Sequence, residues 1–205
     1  MQYYSQFGQD QYLWEKYFQH GVIGGTFVDI GAHDGVSGSN TKFFEDQGWS
    51  GICFEPVPQI FERLKTNRQC MCVNKALSNK VGTAKFKYLP GYSEMLSGLL
   101  DEYTQGQLDR INREVAEHKQ VEYTIDVETS LFELEVPKDI NISLLSIDVE
   151  GSEETIIRSI DFDHRTIIFM TVEFNEPNDA LHHYILSKGY ALDMCLGVDW
   201  IYRKI

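Results

Sequence analysis

Basic residues are scarce in this 205-residue chain, in which 18 lysines and arginines stand against 31 aspartates and glutamates. The formal net charge is −13, and the longest basic run is the pair Arg203-Lys204. Proteins that bind nucleic acids neutralise phosphates with clustered lysines and arginines. The composition therefore argues against a nucleic-acid partner.

Long apolar runs are also missing, because no stretch approaches the ~18 residues that a helix needs to cross a bilayer. Residues 1–5 show neither the charged region nor the apolar region of a signal peptide. We therefore expect a cytoplasmic protein with no membrane partner. The sequence carries no signal that defines the oligomeric state.

Cysteine is infrequent, and the four cysteines at positions 53, 70, 72 and 195 fit no zinc-binding spacing. A chain of this length does not need disulfides to hold its core, so we expect four free thiols, three of them in strands. With 42% hydrophobic and 24% charged residues, the composition is that of an ordinary globular protein. We expect one domain over residues 1–205.

Short apolar runs alternate with helical patterns from residue 26 onward, which is typical of a parallel sheet with crossover helices. The last two runs are separated only by Leu196-Gly197, so they should form an antiparallel hairpin. We expect an α/β fold with a seven-stranded, mostly parallel sheet, one antiparallel strand near the edge and helices on both faces. The predicted strands are 26–30, 51–55, 71–76, 143–148, 167–173, 190–195 and 198–202, and the predicted helices are 40–47, 58–66, 152–159 and 179–187.

A polar stretch at residues 89–143 interrupts this alternation, and within it Leu108, Ile111 and Val115 recur at helical spacing. We predict a helical insertion at about residues 90–120, with its helix inside residues 99–119, in addition to an N-terminal segment, residues 1–25. Two interpretations of the insertion are open. It is either a solvated helix packed on the sheet or a mobile lid over the functional site.

The first predicted strand leads into a glycine-rich turn at residues 29–35, Asp-Ile-Gly-Ala-His-Asp-Gly. Glycines allow the backbone to approach a ligand closely at the carboxyl edge of a sheet. The turn lacks the Gly-x-Gly-x-x-Gly pattern of dinucleotide sites, and Asp29 and Asp34 would repel a pyrophosphate. The two carboxylates favour a cationic cofactor instead.

Glu55 ends the second predicted strand, 24 positions after Gly31. A carboxylate at this place can accept hydrogen bonds from both hydroxyls of an adenosine ribose. Together with the turn, Glu55 indicates a nucleoside that carries positive charge, a description that S-adenosylmethionine meets. The alternative is that Asp29 and Glu55 only cap helices or pair with lysines.

Three segments carry a likeness to a known family: Ser-Gln-Phe-Gly-Gln-Asp at 5–10, the turn at 28–35 with Ser-Asn-Thr at 39–41, and Ser-Ile-Asp-Val-Glu-Gly-Ser-Glu at 146–153. Through them the sequence resembles the FkbM-type S-adenosylmethionine-dependent methyltransferases. The resemblance implies a Rossmann-like class I methyltransferase fold and methyl transfer, usually to a hydroxyl oxygen. The acceptor is then a small molecule or glycan, and the helical insertion, which departs from the family pattern, leaves its identity open.

The candidates for binding S-adenosylmethionine lie in the N-terminal segment, in the turn and at the strand ends. Gln9 and Asp10 are expected to fold over the cofactor as a lid. The full set is Gln9, Asp10, Asp29, Gly31, His33, Asp34, Gly35, Asn40, Glu55, Pro56, Ala76 and Asp148.

A hydroxyl acceptor is a weak nucleophile near neutral pH, so a base or a metal must help to remove its proton. The catalytic candidates follow the fourth and fifth predicted strands and meet at one edge of the sheet: Asp148, Glu150, Glu173 and Asn175. Their oxygen atoms also suit a divalent metal, with Asp148, Glu173 and Asn175 as candidate ligands.

Other roles for these side chains remain open. Asp148 can bind the amino group of the cofactor or orient the acceptor, Glu150 can cap the following helix, and Glu173 can be the base without any metal. Three histidines, His33, His182 and His183, are further candidate bases because the pKa of histidine lies near neutral pH.

Two other classes of function compete with a methyltransferase. A nucleotide-dependent oxidoreductase or epimerase is disfavoured by the glycine-rich turn. A non-catalytic binding module on the same fold is disfavoured by the acidic residues at every relevant strand end. Fold alone does not decide between these classes.

Overall fold

The computed structural model describes residues 1–19 and 24–205. Its main sheet contains β1 (Thr26–Ile30), β2 (Ser50–Phe54), β3 (Met71–Val73), β8 (Ile142–Ile147), β9 (Ile167–Glu173), β10 (Tyr190–Leu196) and β11 (Asp199–Lys204). The strand order is β10-β11-β9-β8-β1-β2-β3, and β11 runs antiparallel to both of its neighbours. The expected α/β fold, with a seven-stranded, mostly parallel sheet and one reversed strand near the edge, is confirmed.

The sheet is covered on both faces, which explains why its central strand is buried along its whole length and is mostly apolar. Every residue of β8, Ile-Ser-Leu-Leu-Ser-Ile, is buried, the pattern of a strand that packs against two layers. The helices are α1 (Gln9–Leu13, continued by a π-helix at Trp14–Phe18), α2 (Lys42–Asp46), α3 (Pro58–Asn67), α4 (Gln105–Glu117), α5 (Phe132–Glu135), α6 (Glu153–Ser159) and α7 (Asp179–Ser187). Within residues 1–19 and 24–205, none of the helices has the length and apolarity of a membrane span.

Two apolar clusters hold these helices on opposite faces of the sheet. One cluster joins α5, α6 and α7 to side chains such as Val28 and Leu145, and the other joins α1, α2 and α3 to Phe27 and Leu144. Val28 and Leu145 alternate with Phe27 and Leu144 along their strands, as side chains on the two faces of a sheet must.

A second sheet was not anticipated from the sequence. It contains β4 (Ala76–Leu77), β5 (Gly82–Tyr88), β6 (Gly98–Leu99) and β7 (Tyr123–Ser130), in the order β4-β7-β5-β6. The predicted strand at 71–76 is therefore wrong as one element. It divides at Asn74, whose side-chain amide donates to the carbonyl oxygens of Glu55 (2.8 Å) and Pro56 (3.0 Å) and turns the chain from β3 into the other sheet.

Helix α4 lies inside the predicted insertion and is shorter than residues 99–119. It begins after Thr104, whose hydroxyl accepts from the backbone N–H of Gln107 while the Gln107 side chain accepts from that of Thr104. Its buried residue Ile111 packs with Leu89 and Leu96 of the preceding loop. The other predicted helices are found to within a few residues, and the hairpin of β10 and β11 is confirmed.

The ends of β1 and β8 approach each other unusually closely at Gly31. This glycine has φ 87°, and a Cβ atom built on it would lie 1.7 Å from the backbone oxygen of Asp148. From the sequence, Gly31 was expected to allow close approach of a ligand. In the structure the contact that excludes a side chain is instead with the neighbouring strand.

Replacing Gly31 with alanine should therefore lower stability itself. We expect Gly31→Ala to reduce Tm by at least about 5 °C, because the clash with backbone adds to the cost of a positive φ. Gly48 is the matched control, since its φ of 88° is the same and no atom lies within 4 Å of its Cβ position. Equal Tm losses for Gly31→Ala and Gly48→Ala, measured by thermal unfolding, would contradict this account.

Candidate active site

A cavity of about 430 Å³ opens at the carboxyl edge of the main sheet, a size typical of sites for small molecules. Four strand ends form its floor, at Gly31, Glu55, Asp148 and Glu173. The second sheet contributes a wall of largely apolar side chains, among them Ala76, Leu77, Phe86 and Leu99. In open α/β folds this edge is where ligands bind.

Three carboxylates converge in this cavity. Asp148, Glu150 and Glu173 each place an oxygen within 4.8 Å of the others. The side-chain amide of Asn175 donates to Glu150 Oε2 (3.1 Å) and to Glu173 Oε2 (2.6 Å). The structure thus brings together all four residues that the sequence indicated as catalytic candidates. We call Asp148, Glu150 and Glu173 the carboxylate cluster.

The cluster holds protons more tightly than isolated carboxylates do. Poor solvation raises the pKa of Asp148, and the charge of Asp199 raises it further. The pKa of Glu173 is raised by burial and by the charges of Asp148 and Glu150, and the pKa of Glu150 is raised for the same kind of reason. Like charges at this spacing favour a shared proton.

The loop after β8 is built to aim Glu150 into the cavity. Glu150 has φ 56°, a left-handed conformation that is uncommon for a residue with a side chain. The carboxylate of Glu153 accepts from the backbone N–H groups of Val149 and Gly151, each at 3.1 Å, and so ties the loop to α6. Glu150 points to the cavity and does not cap this helix. The residue that links the loop to α6 is Glu153, which was not among the residues indicated by the sequence.

Glu55 lies at the end of β2 and is 5% exposed. Its Oε1 accepts from the N–H of Val57 (2.8 Å), and burial raises its pKa to about 7. Pro56 and Ala76, two further candidates for cofactor binding, line the same part of the cavity.

His33 lines the cavity, but carboxylates already engage its ring. Its Nε2 lies 2.9 Å from Glu94 Oε2, and its Nδ1 lies 3.7 Å from Asp34 Oδ1. Burial lowers the pKa of His33, yet the nearby carboxylates of Asp34 and Glu94, of which Glu94 accepts a hydrogen bond from the ring, outweigh that effect and raise the pKa overall. Glu94 also pairs with Arg63, and neither residue stood out in the sequence.

Four residues of the glycine-rich turn and its following loop lie outside the cavity, namely Asp29, Asp34, Gly35 and Asn40. The reason is Arg68, a buried cation that the sequence analysis missed. Its guanidinium lies 3.8 Å from Asp29 and donates to Gly35 O (3.2 Å) and Thr41 Oγ1 (3.0 Å). The turn is thus folded around an internal arginine.

The side chains of Asp29, Asp34 and Asn40 are also held by neighbouring groups of the protein. Asp29 accepts from Thr41 Oγ1 at 2.5 Å, and Asp34 accepts from the backbone N–H groups of Val36 and Ser37. Asn40 donates to Ser146 Oγ at 3.2 Å. These contacts position the turn, so none of the four residues lines the cavity in this arrangement, and their part in binding the cofactor remains a prediction.

Gln9 and Asp10 are also fully buried and lie outside the cavity. Asp10 accepts from the Tyr4 N–H (2.7 Å), and Gln9 donates to the carboxylate of Asp199. The residues of this segment that line the cavity are Gln6 and Phe7. A covering of the cofactor by this segment remains a prediction, and Gln6 and Phe7 are the side chains placed to provide it.

His182 and His183 lie on α7, away from the cavity. His182 Nδ1 is 2.9 Å from the hydroxyl of Tyr202, and His183 Nδ1 donates to the carbonyl oxygen of Asp179 at 2.7 Å. These contacts explain both rings as structural, and His33 is the candidate histidine that lines the cavity.

Helix α4 contributes Arg110 and Glu114 to the cavity wall. Arg110 Nη1 donates to Asn175 Oδ1 at 3.3 Å. This oxygen is engaged and the NH₂ group is turned to the carboxylates, so Asn175 is not oriented as a metal ligand in this arrangement. The carboxylate cluster, with Glu150 in place of Asn175, is the set whose oxygen atoms lie close enough together to hold a cation.

The raised pKa values predict a stability that depends on pH. A carboxyl whose pKa is higher in the folded state stabilises the fold fully below its unfolded-state pKa, and this contribution declines as the pH rises from the unfolded-state value to the folded-state value. We expect Glu173→Gln to raise Tm at pH 8 by about 3 °C or more and to change it little at pH 4. The exposed Glu128 provides the control, because Glu128→Gln should leave the difference between the two pH values as it is in the wild type. A Glu173→Gln protein with the wild-type Tm at pH 8 would contradict the burial of charge in the cluster.

We compared the sequence and the structure of this chain with those of known proteins. Residues 29–192 match the family model described as the methyltransferase FkbM domain. A curated protein of Beauveria bassiana named Methyltransferase 1 is 26% identical over 57% of this chain and 51% of its own length, so the chain spans about half of that relative. Among solved structures, a TehB-like SAM-dependent methyltransferase from Corynebacterium glutamicum aligns with 98% of this chain and 89% of its own at a TM-score of 0.44 and 10% identity. Because the family model extends from the end of β1 into β10, the chain belongs to the methyltransferase FkbM domain family.

Proposed function

We propose that this chain is an S-adenosylmethionine-dependent O-methyltransferase that acts on a hydroxyl of a small molecule or glycan. The observation that carries the proposal is one cavity that joins Glu55 to the carboxylate cluster. Glu55 can accept hydrogen bonds from the hydroxyls of a ribose. The carboxylate cluster can attract a cationic group and accept the proton of a reacting hydroxyl beside it.

The side chains of the cavity fit this cofactor at both ends. Near Glu55 the wall is apolar, with Val57, Ile60 and Leu77, which suits an adenine base. At the other end, the buried hydroxyl of Ser152 has no hydrogen-bond partner within residues 1–19 and 24–205, so it is available to a polar group of a ligand. The carboxylates there favour the positive charge of the methionine part.

Charge disfavours the competing nucleotide enzyme. Among the described residues, six carboxylates line the cavity, against the two basic side chains Lys75 and Arg110. A pyrophosphate would find few basic partners among these carboxyl groups, whereas a sulfonium or ammonium group would favour their deprotonated form and be attracted to it. A non-catalytic binding module is also disfavoured, because three crowded carboxylates repel one another and do not by themselves stabilise the fold.

The cluster also supplies the acid–base chemistry. S-adenosylmethionine supplies an activated methyl group, and transfer to an oxygen requires that the acceptor hydroxyl loses a proton. Glu173 and Asp148 lie close enough to share this proton. Because their pKa values are raised, the cluster must first lose a proton of its own before it can act as the base, which favours activity at higher pH. Arg110 and Asn175 hold Glu173 in place.

We infer that this chemistry does not depend on a divalent metal. Asn175 turns its NH₂ group to the cluster and its oxygen to Arg110, so hydrogen bonds and protons relieve the repulsion that a cation would otherwise relieve.

Binding of the cofactor tests the assignment of Glu55. We expect Glu55→Gln to weaken S-adenosylmethionine and S-adenosylhomocysteine alike by roughly ten- to hundredfold, because hydrogen bonds to a charged group contribute about 1.5 to 3 kcal/mol. The wild-type affinity should rise with pH through about 7, where Glu55 loses its proton, and this component should be absent in Glu55→Gln. Calorimetry at several pH values measures both effects.

Glu62→Gln on the exposed face of α3 is the control and should bind as the wild type does. Binding of NAD in place of S-adenosylmethionine, or an unchanged affinity in Glu55→Gln, would count against the proposal.

The transfer reaction tests the role of Glu173. With methyl-labelled cofactor and an acceptor found by screening extracts, Glu173→Gln should lower the rate roughly 100-fold or more, the usual contribution of a general base. The wild-type activity should survive a chelator and rise with pH through one ionisation. Loss of activity with the chelator and recovery with Mg²⁺ or Mn²⁺ would show a metal-assisted reaction. Full activity of Glu173→Gln would remove this residue from the mechanism.

A further inference from the structure

Two cysteines lie in contact beside the main sheet, away from the cavity. Cys53 is on β2 and fully buried, whereas Cys70 precedes β3 and is partly exposed. Their sulfur atoms are 3.5 Å apart. Two thiols at this distance can form a bond after a small rotation of their side chains.

The surroundings make the two thiols unequal. The pKa of Cys70 is lowered by its contact with the Cys53 thiol and by the charge of Arg68, while the pKa of Cys53 is raised by its bond to Cys70 and by burial. The other charged groups nearby, Asp29 and Glu45, are themselves paired with Arg68. Cys70 is thus the thiolate that a reagent can reach, and Cys53 is a protonated thiol behind it.

We propose that Cys70 is a peroxide-reactive site and that Cys53 resolves it to a disulfide. In the first step the Cys70 thiolate attacks one oxygen of a hydroperoxide, the O–O bond breaks, and the chain gains a sulfenic acid while the second oxygen leaves as hydroxide or alkoxide. In the second step the Cys53 sulfur attacks the Cys70 sulfur and the sulfenic hydroxyl leaves as water, with the proton supplied by the Cys53 thiol. Both cysteines are oxidised by one electron each, and the peroxide is reduced.

The position of Cys72 makes it a poorer partner for Cys70. Its thiol is directed to the backbone oxygen of Cys70 at 3.6 Å, and the two residues are separated by Met71 alone. A disulfide between Cys53 and Cys70 would instead join β2 to the segment before β3, next to strands that are already paired. Since neither cysteine lines the cavity, this site is independent of the proposed methyl transfer.

Peptide mapping after oxidation tests the proposal. The intact protein is treated with dilute hydrogen peroxide, its remaining thiols are alkylated, and it is digested with trypsin. We expect peptide 43–63, which carries Cys53, to be linked to peptide 69–75, which carries Cys70 and Cys72, with the loss of two hydrogen atoms. The link should form in Cys72→Ser and be absent in Cys70→Ser. A dithiol reductant should reverse it.

Cys195, an exposed residue, provides the internal reference for reactivity. Partial desolvation of its thiol raises its pKa, whereas the pKa of Cys70 is lowered. Cys70 should be oxidised at least about tenfold faster than Cys195. In Cys53→Ser, a dimedone label should appear on Cys70, since the sulfenic acid has lost its resolving thiol. A link that requires Cys72, or equal rates of oxidation at Cys70 and Cys195, would overturn the proposal.

Discussion

The electrostatic repulsion among the three poorly solvated carboxylates of the cluster, which lie at adjacent strand ends, is the constraint that the other residues of the cavity compensate. Charged groups at such spacing repel and are poorly solvated, so each needs a partner or a proton. Asn175 reaches two of the three, Arg110 fixes Asn175, and Gln9 engages the nearby Asp199. The N-terminal segment and helix α4, which lie far apart along the chain, therefore serve the same electrostatic need. A strained backbone at Glu150 is tolerated for the same reason.

Much of the main sheet was readable from the sequence because its strands are covered on both faces. Runs such as Ile-Ser-Leu-Leu-Ser-Ile are short, mostly apolar and without charged residues, so they do not show the charged face of an amphipathic helix. Acidic residues mark where these runs end. The convergence of Asp148, Glu150, Glu173 and Asn175 followed from the same fact, since carboxyl ends of parallel strands meet at one edge. Here local pattern and global arrangement agree.

The second sheet escaped because its strands are short or half exposed. β5 and β7 do alternate, with Ala84, Phe86 and Tyr88 on one side of β5 and Lys85 and Lys87 on the other, and this period of two could have identified them. The role of Arg68 could not have been read in this way. A buried arginine that organises a turn 33 residues earlier, at Gly35, depends on a tertiary contact for which no local spacing gives a sign.

The division of the chain at Asn74 has a consequence for how this protein can diversify. The amide of Asn74 fastens the start of the second sheet to the end of β2, so the wall nearest Glu55 cannot shift without disturbing that strand. Helix α4 lies on the opposite wall, where among the described residues it makes no side-chain hydrogen bond to β2 and Arg110 bonds to Asn175 instead. Under the proposed function, substitutions on α4 would therefore reshape the end of the cavity assigned to the acceptor while the end near Glu55 keeps its geometry. The two halves of the cavity are in this sense separate units of evolutionary change, one held fixed and the other free to vary.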